Sequence, residues 1–377
     1  MSAAWIAFHV TDRCQLDCQH CLRDPELTPK DLPLSLMKKV MSEAKSIYRS
    51  AQVALTGGEP TLHPDFEGIL DAIVENDFTW HLVTNGKRFP RLIEQIKSVP
   101  ERRARLTAVN FSLDGATEAT HDGIRGKGSF REVMVGATLC TAHGIPFLLQ
   151  MVINAKNVGE IEALGMLASQ VGANRVSYSM LQPTGTLHDA TLYLSPSAWR
   201  DAQDRIERLG TMLRIPVGMP EGFYTEQPFH VCEPFKSQQL HVDVQGRLNL
   251  CCQHSGVPGD GTRSDVAGDL HEMSLIEAHR RLLGIIHQAQ SDKLARMAKG
   301  PLTDWEHFPC NDCMKYFGKP HWEGQGAQGP EAQRERWRGA WAPTVKQGAP
   351  EADSGEGNSG SRAGSPRTPR QLPLVRG

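Results

Sequence analysis

The 377-residue sequence lacks the features that mark several common classes of protein. It contains no run of about 18 apolar residues, which excludes an ordinary transmembrane helix. Its first residues, MSAAWIAFHVTDRC, have neither a charged n-region nor a small-residue cleavage site, which excludes a secretory signal. With 41 basic and 43 acidic side chains the net charge is −2, so there is no broad positive field for nucleic acid. We therefore expect a cytoplasmic protein that binds neither nucleic acid nor a membrane.

Aliphatic residues become scarce after about residue 320, where glycine, proline, serine, arginine and glutamate dominate. A segment of this composition cannot bury enough apolar surface to offset the entropy lost on ordering it. We therefore predict a disordered tail over 321–377. The chain that precedes it is long enough for two domains.

Between residue 5 and about residue 190, short apolar runs alternate with helical patterns. The apolar runs, which predict strands, cover 5–11, 52–58, 79–86, 106–115, 146–154 and 175–185. The helical patterns between them cover 33–49, 63–77, 89–99, 129–144 and 159–172. This strand-then-helix repeat predicts a parallel sheet with packed helices, either open or closed into a barrel.

Polar and glycine-rich segments fall where the predicted strands end. They cover 14–21, 57–60, 84–86, 112–115 and 182–185. Parallel strands bring their carboxyl ends to one edge of the sheet, and α/β folds carry their chemistry at that edge. We therefore expect these segments to line a single functional edge.

The nine cysteines of the sequence are clustered. The two clusters are Cys14, Cys18 and Cys21, and then Cys232, Cys251, Cys252, Cys310 and Cys313. Cys140 stands apart on the apolar face of a predicted helix, so we interpret it as a small buried hydrophobic residue. In a reducing compartment such tight clusters are more often metal ligands than disulfides.

The first cluster has the spacing C-x3-C-x2-C and therefore three ligands, whereas a closed tetrahedral site needs four. A cubane [4Fe–4S] cluster held by three thiolates keeps one iron open, as catalytic metal sites do. Structural zinc sites usually carry C-x2-C pairs, which makes zinc the weaker interpretation here. The spacing predicts an iron–sulfur cluster that binds a ligand at its open iron.

Together with the Gly57-Gly58-Glu59-Pro60 segment after the second strand, this cysteine loop resembles the radical SAM enzymes over residues 5–190. The resemblance implies a partial (β/α)6 TIM-like barrel with a [4Fe–4S] cluster on Cys14, Cys18 and Cys21. It also implies S-adenosylmethionine (SAM), bound to the open iron through its amino and carboxylate groups. Reduction would cleave SAM to methionine and a 5′-deoxyadenosyl radical, which abstracts hydrogen from a substrate.

The resemblance also assigns cofactor-binding roles along the predicted edge. Gly57 and Gly58 would let the backbone approach the ligand, and Glu59, followed by Pro60, would accept hydrogen bonds from the SAM ammonium group. The remaining candidates are His20 near the adenine, Ser112 and Asp114 at the ribose or the carboxylate, Arg125 at the carboxylate, and Asn154 on the same edge.

The second cluster follows the pattern C-x13-G-x4-C and then C-x2-C, with Gly246 as its glycine. This pattern resembles the SPASM extension of radical SAM enzymes, in the shortened form called twitch because no further cysteine follows. The resemblance implies one auxiliary [4Fe–4S] cluster with four ligands and no open iron. The implied ligands are Cys232, Cys251, Cys310 and Cys313. Cys252 is an alternative to Cys251, and the spacing alone also suits structural zinc.

We accordingly predict four parts of the chain. They are a radical SAM core barrel over 1–190, a connecting or cap segment over 191–230, a small α+β auxiliary-cluster domain over 231–320, and the tail over 321–377. In the third part, alternation about Gln245-Gly246 predicts a hairpin over 240–252, and a helical pattern covers 274–292.

Two clusters and a hydrogen-abstracting radical favour a net oxidation in which the auxiliary cluster accepts an electron from the substrate. The resemblance implies a small-molecule or peptide substrate and an electron donor such as flavodoxin or ferredoxin. The first strand begins near residue 5, so we expect no fused peptide-recognition domain, and a peptide would be delivered by a separate partner. A catalytic base is expected, and its candidates are Tyr178, His188, Asp189 and Tyr193, none of which the spacing singles out.

Two other functions stay open at this point. One is redox-neutral radical chemistry, such as epimerisation or C–C bond formation, beside a structural auxiliary site. The other is an iron–sulfur or zinc binding protein without catalysis, against which the intact GGEP segment and the Ser112 and Asp114 pair argue. Formation of 5′-deoxyadenosine from SAM would exclude this last function.

Overall fold

The structure of the chain is a computed structural model. It describes residues 4–22, 28–48, 51–183, 190–227, 229–255, 257 and 259–321. Nearly all of the tail predicted to be disordered lies outside the described residues, as do the candidate bases His188 and Asp189.

Strands and helices alternate along the described chain as the sequence predicts. The strands are β1 (Ala4–Thr11), β2 (Ala51–Gly57), β3 (Thr79–Thr84), β4 (Leu106–Ser112), β5 (Phe147–Ile153), β6 (Arg175–Met180), β7 (Val217–Gly218), β8 (Gln239–Val242), β9 (Arg247–Asn249) and β10 (Val266–Asp269). The α-helices are α1 (Leu34–Ile47), α2 (Phe66–Glu75), α3 (Phe89–Lys97), α4 (Pro100–Arg105), α5 (Glu118–Arg125), α6 (Ser129–Ala142), α7 (Ile161–Gln170), α8 (Pro196–Met212), α9 (Leu275–Met297) and α10 (Pro309–Tyr316). Short 3₁₀ turns cover Pro60–Leu62, Val158–Glu160, Ala190–Leu192, Pro234–Lys236 and Asp304–His307. None of these described helices is both long enough and apolar enough to cross a membrane.

The strands of the described chain form one sheet in the order β10-β9-β8-β1-β2-β3-β4-β5-β6-β7. Strands β1 to β6 are neighbours in chain order, and every adjacent pair among them is parallel. Crossovers of one hand between successive strands place their helices on the same face of the sheet. The mixed α/β fold with a parallel sheet is therefore confirmed.

Side chains alternate between the two faces of each strand, so the sheet separates an apolar core from a polar inner face. In β1, Ile6, Phe8 and Val10 are fully buried in the hydrophobic core, while Ala7 and His9 point to the opposite, inner face. The pairing register places these further residues on the inner face: Thr56, His81, Asn110, Ser112, Gln150 and Ser177. The same register also places Val83, Leu148 and Val152 on this face, so it offers a ligand both hydrogen bonds and apolar contact.

Two short helices, α4 and α5, are absent from the sequence prediction. In α4, Arg102 is nearly buried and its guanidinium lies 3.1 Å from Glu67 Oε2 and 2.7 Å from Asp71 Oδ1. Helix α5 is capped by the Thr117 side chain, which accepts a hydrogen bond from Thr120 N. Neither helix has the long apolar stripe that identifies a helix in a sequence. Ion pairs hold α4 and a side-chain cap begins α5, and neither contact produces an apolar periodicity.

The predicted hairpin is present, and it extends the main sheet. Its turn has Gly246 at φ +79, and the Asp243 carboxylate accepts hydrogen bonds from the backbone N–H groups of Gln245 and Arg247, both at 2.9 Å. Strand β8 pairs in parallel with β1, on the side away from β2. The segment that carries the second cysteine cluster is thus attached to the same sheet as the first, and the predicted domain boundaries stay a prediction.

Three phenylalanines fix the packing of helices α3 and α6 on the sheet. Phe111 is fully buried, and its ring centroid lies 4.9 Å from that of Phe89 and 6.1 Å from that of Phe147. Gly136 of α6 faces this ring, since a Cβ there would approach Phe111 Cε1 to 2.5 Å. The ring of Phe111 is therefore closely packed against Phe89, Phe147 and Gly136.

Phe111→Ala should lower the free energy of unfolding by about 3–5 kcal/mol, because it removes a buried ring and leaves a cavity. The measurement is chemical denaturation under anaerobic conditions, at matched iron content. Met212→Ala is the control, since Met212 is 74% exposed and the change should stay within about 0.5 kcal/mol. A loss of less than about 1 kcal/mol for Phe111→Ala would contradict this packing.

Candidate functional site

The first cysteine loop begins directly after β1 and is held by its own backbone. Cys14, Cys18 and Cys21 are each partly buried. The N–H of Cys21 donates to the Cys18 carbonyl at 3.0 Å, which closes a turn between these two cysteines. At the start of the loop, the Arg13 guanidinium bonds both oxygens of Asp31 at 2.9–3.0 Å. The loop therefore leaves the sheet in a fixed direction, and its thiols lie at the carboxyl edge.

The loop after β2 lies directly against the cysteine loop. The N–H of Gly58 donates to the Thr11 carbonyl, and the N–H of Glu59 donates to the Arg13 carbonyl, each at 2.7 Å. A Cβ on Gly58 would lie 2.3 Å from Arg13 O, and Gly57 has φ +138. Both glycines are thus required for contact between the two loops, and their predicted role in the approach of SAM stays a prediction.

Glu59 is fully buried, and its carboxylate is bonded by the protein itself. It accepts hydrogen bonds from Thr61 Oγ1 at 2.7 Å, from Thr84 Oγ1 at 2.9 Å and from the backbone N–H of Asn85 at 2.9 Å. Burial raises the pKa of Glu59, and these hydrogen bonds partly offset that rise. A SAM ammonium group, the predicted partner of Glu59, would have to compete with these donors.

The residue that Glu59 positions makes a contact with the first cysteine. The side-chain amide of Asn85 points its Nδ2 at Cys14 Sγ, 3.7 Å away. Its Oδ1 accepts from Lys87 N at 3.0 Å and from Gln15 Nε2 at 3.3 Å, which fixes the orientation of the amide. The buried carboxylate of Glu59 thus positions Asn85, whose side-chain N–H faces the Cys14 thiol.

Asp114, just after the end of β4, is a second buried carboxylate that positions an N–H donor at a cysteine, in this case through Arg125. Asp114 is fully buried, and its Oδ2 lies 2.5 Å from Arg125 Nε, while its Oδ1 accepts from Val152 N at 2.8 Å. Burial alone would raise the pKa of Asp114, but the Arg125 guanidinium, the neighbouring His20 and His121, and the hydrogen bond from Val152 N together outweigh it and lower the pKa. Arg125 Nη1 reaches 3.8 Å from Cys18 Sγ. The pair therefore stays ionised and directs a cation at the second cysteine.

His20 packs against this ion pair. Its Nε2 lies 3.2 Å from Asp114 Oδ2 and 3.5 Å from Arg125 Nη2. Burial, assisted by Arg125, lowers the pKa of His20 to about 4, so the ring is neutral at neutral pH. The predicted place of His20 beside an adenine stays a prediction, and the structure puts its ring at the edge where that cofactor is expected.

Two other predicted cofactor residues lie on the same edge with different surroundings. Asn154 is fully buried, and its Oδ1 accepts from Lys156 N at 2.9 Å, so the side chain caps the turn after β5. Ser112 is the last residue of β4 and pairs in register with Gln150 of β5. Contact of either residue with SAM remains a prediction.

Sequence reasoning missed two residues that fix the backbone of Asp114. His121 Nδ1 accepts a hydrogen bond from Asp114 N at 2.9 Å, and Asn157 Nδ2 donates to Asp114 O at 3.0 Å. Both side chains are fully buried. His121 belongs to the same HDGIRG segment as Arg125, which is the one signal that the sequence offered.

The structure corrects one candidate base. Tyr178 is fully buried in the core, its hydroxyl donates to Ile161 O at 2.8 Å, and burial raises its pKa. Its neighbours Ser177 and Ser179 occupy the opposite, inner face of β6. Tyr178 is therefore wrong as a base for a ligand at the inner face. Tyr193 is partly buried and packs against the core.

The second cysteine cluster surrounds a cavity of about 280 Å³. Among the residues that line it are Cys232, Cys251, Cys310 and Cys313. The last two lie three residues apart near the start of α10, a spacing that puts both on one face of the helix. Cys252 is exposed and is not part of this lining. The geometry favours Cys251 over Cys252 as the fourth thiol.

The chemistry of these thiols suits a bound cationic centre. Burial raises the pKa of Cys18 to about 12 and that of Cys232 to about 12. Burial, and next the neighbouring cysteines, raise the pKa of Cys310 and Cys313 well above the ordinary value. Thiolates crowded in this way need a positive centre, which an iron–sulfur core or a metal ion provides. Within the described residues, no group of three or more histidine, cysteine, aspartate or glutamate side chains is arranged to hold a single metal ion.

The thiol of Cys310 occupies a space that a residue larger than glycine at position 222 would fill. Gly222 has φ +132, and a Cβ there would lie 2.6 Å from Cys310 Sγ. The Cys310 thiol donates to the neighbouring Glu221 carbonyl at 3.4 Å. The residues of this site therefore fit a bulky group held by four sulfurs.

The fold and its carboxyl edge define a barrel-like α/β protein with a three-cysteine centre after the first strand and a glycine loop packed against it. Residues 8–167 match the Radical SAM superfamily. The matched segment is similar to that superfamily and contains both the loop of Cys14, Cys18 and Cys21 and the Gly57–Pro60 loop.

Curated relatives and solved structures are similar to different extents of the chain. The mycofactocin maturase MftC of Mycobacterium tuberculosis (strain ATCC 25618 / H37Rv) is 30% identical over 205 residues, 52% of this chain and 50% of that protein. The chain thus spans about half the length of the maturases that it matches. The PqqA peptide cyclase of Gluconobacter oxydans (strain 621H) is 27% identical over 316 residues, 81% of each chain.

The solved structure of Streptococcus suis SuiB bound to its precursor peptide SuiA superposes with a TM-score of 0.58 and 15% sequence identity. That match covers 74% of this chain and 66% of SuiB. At this level of identity the likeness concerns the fold alone.

Asp114→Asn should destabilise the protein by about 3–5 kcal/mol, because it leaves the Arg125 guanidinium buried without its counter-charge. The free energy of unfolding from anaerobic denaturation measures this effect. Arg131→Ala is the matched control, since it breaks the Arg131–Glu118 pair, in which Arg131 is 77% exposed, and should cost less than about 1 kcal/mol. Equal small effects for both variants would show that the Asp114 pair is not stabilising.

Proposed function

We propose that this chain is a radical SAM enzyme that oxidatively modifies a peptide, with one auxiliary [4Fe–4S] cluster as the electron acceptor. The observation that carries the proposal is a pair of N–H donors that face two thiols of the first cysteine loop. Cys14 and Cys18 each face an N–H donor, from Asn85 and Arg125, at 3.7 and 3.8 Å. Such donors stabilise sulfurs that bear negative charge, as cluster ligands do.

Cys14, Cys18 and Cys21 would hold the first cluster, leaving one iron for SAM. The residues proposed around SAM are Gly57, Gly58, Glu59, Pro60, His20, Ser112, Asp114, Arg125 and Asn154. When bound, this pair of cofactors supplies a radical that takes hydrogen from the substrate. The protein keeps the cysteine loop rigid through Glu59 and Asp114, whose carboxylates are fully buried.

The inner face of the sheet provides the proposed substrate space. Gln150 Nε2 donates to Ser179 Oγ at 2.7 Å, and its Oε1 accepts from Asn110 Nδ2. Asn110 Oδ1 is buried and has no hydrogen-bond partner within the described residues. An acceptor of this kind suits the N–H groups of a peptide or another amide substrate.

The peptide class rests on the relatives rather than on the geometry. One curated relative is named a PqqA peptide cyclase, and SuiB has been solved with a precursor peptide. We extend that class to this chain as a proposal, together with an external electron donor such as flavodoxin or ferredoxin. The four cysteines Cys232, Cys251, Cys310 and Cys313 would hold the auxiliary cluster, since all of them line one cavity.

The proposal is tested by reductive cleavage of SAM. Protein reconstituted anaerobically with iron and sulfide should form 5′-deoxyadenosine and methionine from SAM in the presence of dithionite. Cys14→Ala/Cys18→Ala/Cys21→Ala should abolish the product, while Cys140→Ala, which alters a cysteine buried in the core, should retain it. Product at the level of the triple variant in the unmodified protein would overturn the proposed function.

The number of irons per chain tests the auxiliary site. Two cubane clusters give about eight irons, and Cys251→Ala should lower this to about four, because one cluster loses a ligand. Cys252→Ala should keep about eight. About four irons plus one zinc in the unmodified chain would make the second site structural and would contradict its role as electron acceptor.

A further inference from the structure

We propose that His254 donates a hydrogen bond to Cys313 and raises the reduction potential of the auxiliary cluster, with Asp265 and Lys319 as its positioning residues. The inference rests on the proposed function, because it takes Cys313 as a ligand of that cluster. It adds residues that the cysteine pattern does not include.

The imidazole of His254 contacts the sulfur of a proposed ligand. His254 is only 3% exposed, and its Nε2 lies 3.5 Å from Cys313 Sγ. A thiolate bound to iron has no proton to give, so the ring nitrogen must be the donor in the loaded protein. The backbone N–H of His254 donates to the Cys251 carbonyl at 3.1 Å, which ties the same residue to a second ligand.

The orientation of the ring is fixed on its other sides. Asp265, itself buried, places its Oδ2 3.4 Å from His254 Nδ1. The ring of Phe317 meets the imidazole nearly edge-on, with centroids 5.3 Å apart and planes at 73°. Within the described residues His254 Nδ1 has no hydrogen-bond partner, which leaves Nε2, the nitrogen that faces Cys313, as the one that carries the proton.

Lys319 closes this network onto the helix that carries Cys313. Its Nζ donates to Asp265 Oδ2 and to the His254 carbonyl, each at 2.8 Å, and the side chain is 4% exposed. Its backbone N–H donates to the Met314 carbonyl of α10 at 2.8 Å. Buried ion pairs of this kind contribute little net stability, so specific placement of His254 is the better explanation for this one.

A hydrogen bond to a ligand sulfur has a defined effect on a cluster. Reduction adds negative charge to the core, so a donor at the sulfur stabilises the reduced state more than the oxidised state. The charges of Asp265 and Lys319 oppose each other, which leaves the hydrogen bond from His254 as the main local effect. A raised potential is what a cluster needs to accept an electron from a substrate.

The test uses the full chain with Cys14→Ala/Cys18→Ala/Cys21→Ala, so that the auxiliary cluster is observed alone. Its midpoint potential is measured by redox titration followed by electron paramagnetic resonance. His254→Leu should shift the potential to more negative values, and His254→Gln, which keeps an N–H donor, should shift it less. His279→Gln is the control, because the His279 ring bonds Tyr48 Oη and Ser237 Oγ instead, and it should leave the potential unchanged.

An unchanged potential in His254→Leu, with four irons still bound, would overturn this inference and leave the proposed function standing. If the triple-cysteine background binds no cluster, both are overturned. A second measurement does not require the His254→Leu protein. It is pulsed electron paramagnetic resonance of the reduced auxiliary cluster, in a chain labelled with ¹⁵N-histidine. A nitrogen coupling that His254→Gln removes would support the hydrogen bond, and absence of any histidine coupling would overturn it.

Discussion

The buried ion pair between Asp114 and Arg125 is the interaction on which the candidate site depends. It links the end of β4 to Cys18, since Arg125 Nη1 lies 3.8 Å from that sulfur. The backbone of Asp114 is in turn held by His121 at its N–H and by Asn157 at its carbonyl. A short loop cannot place a thiol on its own, because its backbone has few hydrogen bonds to the sheet. Here the buried Asp114 carboxylate positions Arg125, which contacts the Cys18 thiol.

The same physical arrangement recurs at the other end of the cysteine loop. The buried carboxylate of Glu59 holds the backbone of Asn85, and the Asn85 amide faces Cys14. Gly57 and Gly58 bring the second loop within backbone hydrogen-bond distance of the first. Two buried carboxylates, one after β2 and one after β4, thus each position a hydrogen-bond donor at a sulfur. Because both carboxylates are themselves hydrogen-bonded, burying their charges is compatible with a stable edge.

Local patterns revealed most of the fold. The strand and helix alternation, the cysteine spacings and the hairpin turn at Gln245-Gly246 all depend on residues close together in the sequence. The hydrogen bond from Asn85 N to Glu59 and the contact between His254 and Cys313 join residues far apart in the chain, so no spacing predicts them. Tyr178 shows another limit, because the six-residue strand β6 is buried along most of its length and its alternation does not reveal which side faces the helices.

The proposed function depends on a three-cysteine centre that keeps one iron open for SAM. The most direct measurement is electron paramagnetic resonance of the chain with Cys232, Cys251, Cys310 and Cys313 changed to alanine, reduced, with and without SAM. We predict that the signal of the remaining cluster changes when SAM is added. A cluster signal that SAM leaves unchanged would contradict it, because all irons would then be closed to the ligand.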